Sequence, residues 1–109
     1  MPIANCTITL ENSGCSESLI ELWANESGIS SEHMTINIVA ASGQVGNKYG
    51  AMANLLLPAL WSDSDISSLQ LGLARALAQH YAIPVSEVHV VTSVVAAGRV
   101  VEAGEVVEW

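Results

Sequence analysis

The chain has almost no fixed positive charge: Lys48, Arg75 and Arg99 are its only lysine and arginine residues, set against 11 acidic residues for a formal net charge of −8. Nucleic-acid binding is dominated by Lys and Arg contacts to phosphates, so this balance speaks against a nucleic-acid partner, and against an anionic membrane surface for the same reason. Phenylalanine is absent, and charged residues of both signs make up only 13% of the 109 positions. The 2 cysteines, Cys6 and Cys15, stand in no CxxC or zinc spacing and read as free thiols. His33, His80 and His89 form no HxH or HxxxH pair, and no metal site is expected. No run approaches the ~20 apolar residues that a membrane span needs. No basic segment leads into an apolar one at the start, so the expectation is a soluble, cytoplasmic protein.

What is present is hydrophobic: half of all residues. A chain of this length makes one domain, and one small enough that a lone sheet would leave apolar surface uncovered. So few charges are thin cover for a small monomer and favour burial between subunits.

The pattern reads as strand, helix, strand, twice over. Residues Met1 to Leu10 alternate, with Pro2, Ala4, Cys6, Ile8 and Leu10 on the more apolar face. A turn cluster at Glu11 to Gly14 leads to a helix from Ser16, which Gly28 ends, and Met34 to Ala41 is a β-branched second strand. Ser42 to Gly50 is a glycine-rich loop without the spacing of a phosphate cradle. Ala51 to Leu57 is a third strand. Ser62 to Asp65 offers N-caps for the best helix in the chain, whose stripe includes Ile66, Leu69, Leu73, Ala76 and Leu77. Ile83-Pro84 closes it, and Glu87 to Val94 is a fourth strand. Ser31-Glu32 precedes strand two as Ser86-Glu87 precedes strand four, a short-range echo of an internal repeat. The fold class expected is α+β: right-handed crossovers place both helices on one face of a four-stranded mixed sheet and leave the other face to a partner chain.

The chemistry starts at Pro2. While Met1 is attached its nitrogen is an amide; once Met1 is removed it is a free secondary amine with a lone pair. An α-amino group titrates near pH ~8, and apolar surroundings disfavour its charged form, so a partly buried one is a neutral base at physiological pH.

These features resemble the tautomerase superfamily: two βαβ repeats in one chain, Pro2-Ile3-Ala4 at the start, and the Ala-x-Gly and Gly-Glu spacings within Val94 to Glu105. Pro2-Ile3-Ala4 looks like the start of 4-oxalocrotonate tautomerase, the doubled repeat resembles macrophage migration inhibitory factor, and Val101-Glu102-Ala103-Gly104 resembles the cis-3-chloroacrylic acid dehalogenase group. The resemblance implies a single domain over 1–109, with repeat one at about 2–41, repeat two at about 51–95 and a C-terminal interface segment at 96–109. It implies a homotrimer, no cofactor, and a keto–enol tautomerase acting on a small α-keto or enol acid with Pro2 as general base.

By the same resemblance His89 lines the proline pocket, Arg99 is the better carboxylate ligand with Lys48 behind it, and Glu102 inherits a water-activating role. The arginines that clamp carboxylates in relatives are missing near Glu11-Asn12-Ser13 and Tyr49-Gly50-Ala51-Met52, and Val91 stands where the dehalogenases carry a tyrosine. Two alternatives stay open: a hydratase, decarboxylase or dehalogenase in which the prolinium is an acid, and a non-catalytic trimeric binding module if Met1 is retained.

Overall fold

In the computed structural model, which describes residues 1–9 and 18–109, the chain forms two strand–helix–strand units and a terminal hairpin. The first unit is β1 (Ile3–Ile8), α1 (Ser18–Ser27) and β2 (Thr35–Ala40); the second is β3 (Ala51–Pro58), α2 (Asp63–His80) and β4 (Val88–Val95). The sheet order is β2-β1-β3-β4, with β1 parallel to β2, β3 parallel to β4, and the units joined where β1 runs antiparallel to β3. This is the α+β class and mixed sheet expected from the pattern. The turn cluster at 11–14, the helix start at Ser16, and Cys15 lie outside the described residues. Each echoed Ser-Glu pair sits in a single 3-10 turn, Ser31–His33 before β2 and Val85–Glu87 before β4.

Strand alternation decides the core. Ala4, Cys6 and Ile8 of β1 and Ala51, Ala53, Leu55 and Leu57 of β3 are buried on one face, under Leu19 and Trp23 of α1 and Leu69, Leu73, Ala76 and Leu77 of α2. The helices meet closely because Gly72 lies against the end of α1: a Cβ there would stand 2.8 Å from the Ser27 nitrogen and 2.9 Å from its Cα. The Trp23 indole N–H donates to the Leu69 carbonyl at 3.0 Å, tying the two helices inside the core. The Thr92 hydroxyl donates to Gln70 Oε1 at 2.7 Å, tying α2 to β4.

Helix ends follow local chemistry. The Ser62 hydroxyl accepts from the Asp65 backbone N–H at 3.1 Å, capping α2 with Asp63 and Asp65 in its first turn. Its C-terminus closes through Ala82 at φ 53°, where the Ile83 N–H reaches back to the Ala78 carbonyl at 3.0 Å. That left-handed position usually holds glycine.

The opposite sheet face carries no helix among the described residues. Asn37, Asn5, Asn54 and Val91 stand side by side in one row across all four strands, and Asn37 Nδ2 donates to Asn5 Oδ1 at 2.8 Å. The flanking row is Val39, Thr7, Met52 and His89. Val39 and Val91 are 60% and 47% exposed, large apolar groups left uncovered by this chain.

Residues 96–109, anticipated only as an interface extension, contain a hairpin: β5 (Val100–Glu102) and β6 (Glu105–Val107). Ala103 and Gly104 between them have φ of 52° and 79°, the two positive values that a two-residue turn matched to strand twist demands.

Candidate functional site

The parallel pairing of β1 with β2 sets the site. Both strands start together, with Ile3 opposite Thr35 and the Thr35 N–H donating to the Pro2 carbonyl at 3.0 Å. Residues preceding the two strands are therefore brought side by side, and Met1 and His33 line one cavity of about 210 Å³. The C-terminal hairpin supplies the facing wall through Val100, Glu102 and Val107, with Trp109 just beyond it and Pro58 and Leu60 from the end of β3. Pro2 itself, the next residue, is fully buried.

Apolar side chains make most of that wall, and among the described residues its titratable side chains are His33 and Glu102. The Trp109 indole N–H is shut off from solvent and has no acceptor among the described residues, as is also true of Trp61. A buried donor left unpaired costs about 1–3 kcal/mol, so it marks a place where a partner is missing.

The residues singled out from sequence are not all gathered here. Glu102 shares the cavity with Met1. His89 lies in a different groove, on the helix-free sheet face with Asn5, Thr7, Met52, Asn54 and Val91. Its ring packs 5.1 Å from that of Tyr49, whose backbone N–H donates to Gln44 Oε1 at 2.6 Å and whose carbonyl accepts from the Thr9 hydroxyl at 2.8 Å. Arg99 is exposed, its guanidinium turned to the Gly98 carbonyl at 3.4 Å. Lys48 is exposed in the loop before β3, and Arg75 on the outer side of α2. Cys6 is 1% exposed in the core, and burial pushes its thiol up to about 11, so it stays protonated and is no nucleophile.

Sequence reasoning missed His33, Leu60 and Trp109. No motif marks them. His33 reaches the cavity only because a 3-10 turn delivers it to the start of β2, and Trp109 only because the hairpin folds back.

No protein-family model and no curated protein matches the chain by sequence. Solved structures do match its fold. A wild-type fused 4-OT solved as an asymmetric trimer superposes with a TM-score of 0.75 at 13% identity, covering 96% of this chain and 95% of that one. A member of the cis-3-chloroacrylic acid dehalogenase family gives 0.75 at 9% identity, over 97% of this chain and 83% of that one. A macrophage migration inhibitory factor homologue from Prochlorococcus marinus gives 0.71 at 13% identity, over 97% and 99%. The chain has the tautomerase fold. Among the described residues no helix is long and apolar enough to cross a membrane.

Proposed function

We propose that this protein, once Met1 is removed, is a cofactor-independent keto–enol tautomerase of the tautomerase superfamily with Pro2 as its general base. The observation that carries the reading is that Met1, the group bonded to the Pro2 nitrogen, is itself part of the cavity wall. Its excision frees the amine and opens the space in front of it. Neutral Pro2 then removes a proton from carbon α to a carbonyl, and the prolinium returns it elsewhere on the enol. A positioned base contributes on the order of 10² to 10⁴ in rate, and hydrogen bonding to the enolate oxygen supplies more. An acid substrate would draw its carboxylate ligand from Arg99 or His89 of a neighbouring subunit in a homotrimer, since neither lines the cavity of its own chain. Matched solved structures of fused 4-OT are described as trimers, which supports that assembly here.

One observation favours a second reading. Glu102 shares the cavity with Met1, the arrangement a hydratase, decarboxylase or dehalogenase would use, with prolinium as acid and the carboxylate activating water. With Met1 retained, neither chemistry is open to Pro2, and a binding module is left.

Intact mass reports Met1 removal, and tautomerisation of phenylpyruvate and its methyl ester is then compared between processed and Met-extended protein. The processed form should be the faster by at least about tenfold, within the range a positioned base provides. Equal rates would sink Pro2 as the base.

A further inference from the structure

We infer that His33 is a second proton-transfer residue of this site: its imidazole carries the proton to and from the substrate oxygen while Pro2 handles the proton on carbon. The inference deepens the proposed tautomerase reading and rests on it.

Strand register places the residue. β1 and β2 run parallel from Ile3 opposite Thr35, and the Thr35 N–H donates to the Pro2 carbonyl at 3.0 Å. Met34 is extended, with φ −78° and ψ 137°, so counting back along both strands sets His33 beside Met1. Both line the same cavity. Neighbouring strands lie about 4.8 Å apart, a gap that an imidazole or one water spans. Removal of Met1 therefore leaves the Pro2 nitrogen next to His33. His33 is exposed, so a substrate can reach it, and its ring holds no hydrogen bond or ion pair among the described residues.

Donor chemistry and charge select it. Glu102 is the other titratable side chain of the wall among the described residues. A carboxylate accepts but has no proton to give, whereas imidazole does both. Met1 brings the α-ammonium to the wall, and its excision moves that charge to the Pro2 nitrogen. Amine and imidazole then share one positive charge, which the Glu102 carboxylate offsets. Arg99 or His89 of a neighbouring subunit, proposed above for a substrate carboxylate, serves that end of the molecule and leaves the reacting carbonyl to His33.

In enolisation the α-carbon–hydrogen bond breaks, its proton passes to the neutral Pro2 nitrogen and its electron pair forms the carbon–carbon double bond. The carbonyl π pair takes the proton of the His33 imidazolium and forms the enol O–H bond. Prolinium then passes its proton to the neutral imidazole, directly or through one water, which restores both groups without a further reactant. The proton taken from carbon thus reaches oxygen by way of His33.

Ketonisation of phenylpyruvate enol by the full-length, Met1-processed protein tests the relay in the parent, His33→Ala and His33→Gln, with circular dichroism and sedimentation reporting fold and assembly. Both variants should lose at least about tenfold in kcat, towards the 10² to 10⁴ of a positioned acid–base group, with KM changed far less. Glutamine keeps a hydrogen-bond donor but exchanges no proton, so its slowness separates proton transfer from mere contact. Added imidazole should restore rate to processed His33→Ala in a saturable way, beyond the rate that imidazole gives without protein, and should restore none to Met-extended His33→Ala. A His33→Gln protein as fast as the parent, or a folded His33→Ala protein that imidazole does not rescue, overturns the relay. Equal rates for processed and Met-extended parent overturn Pro2 as the base and the relay with it, whereas Pro2-dependent turnover that survives both substitutions overturns this inference alone.

Discussion

Replacing Gly72 by alanine puts a methyl group where α2 crosses the end of α1. The added Cβ would lie 2.8 Å from Ser27 N and 2.9 Å from both Cα and Cβ of Ser27. Ordinary carbon contacts sit at about 3.5–4.0 Å, so relief requires a shift of roughly 1 Å. Backbone atoms cannot rotate out of the way as a side-chain tip does. The helices must separate, loosening the Trp23–Leu69 hydrogen bond at 3.0 Å. Overpacking of this kind costs about 1–3 kcal/mol, and weakening the buried bond adds about 1 kcal/mol. Against this stands a helix-propensity gain for alanine over glycine of about 1 kcal/mol. The net expectation is a loss of about 2 kcal/mol, a fall in melting temperature on the order of 10 °C for a domain of this size. Urea denaturation at fixed protein concentration measures it, with a lowered midpoint and an unchanged slope. Gly50→Ala is the control: its Cβ would meet Ile83 Cδ1 at 2.9 Å, a side-chain end that can turn away. A Gly72→Ala protein as stable as the parent would refute the close-crossing argument.

Ala82→Gly should stabilise by up to about 1 kcal/mol, because the φ of 53° at the end of α2 strains any residue with a Cβ; thermal melts of the two proteins decide it. Cys6 ties stability to pH: the folded thiol titrates at about 11 against 9.0 without burial, so the folded state keeps a proton that the unfolded chain loses. Stability is full below pH ~9 and falls by roughly 2–3 kcal/mol as pH rises towards ~11. Denaturant midpoints at the two ends should show the fall in the parent and lose it in Cys6→Ala. Val91→Asp, on the β4 edge strand of the helix-free sheet face, should dissociate the proposed homotrimer while leaving the secondary structure intact; a trimer that survives it in sedimentation would move the interface elsewhere.

The fold was legible because period and class of residue agree. β1 alternates along most of its length, β3 is an apolar run of strand length, and α2 carries an apolar stripe behind a serine cap, so patterning located the core within a residue or two of each observed boundary. The hairpin at 100–107 escaped although Val-Val-Glu and Glu-Val-Val mirror each other around Ala103-Gly104. Alanine at the first turn position hides the signal, which is strong when asparagine or aspartate stands there. Of the candidate residues, Pro2 and Glu102 were singled out through motif-like context near the two ends of the chain, and Met1 and Glu102 line the same cavity. His33 and Trp109 could not be, because what brings them to the cavity is a strand register and a chain reversal, neither of which constrains which residue is delivered. His89 was placed in the proline pocket by its resemblance to relatives; within a single chain, strand alternation puts its side chain on the helix-free face.

The antiparallel pairing of β1 with β3 is a seam six residue pairs long, from Ile3 opposite Leu56 to Ile8 opposite Ala51. Each side of it owns a helix and two parallel strands, and the connecting segment at 42–48 lies largely exposed between an edge strand and a central one. Severing the chain there leaves two fragments whose mating surfaces are already complete: the seam and the Gly72–Ser27 crossing. The architecture thus lends itself to fragment complementation, with reassembly of the severed halves reporting on seam and helix crossing together.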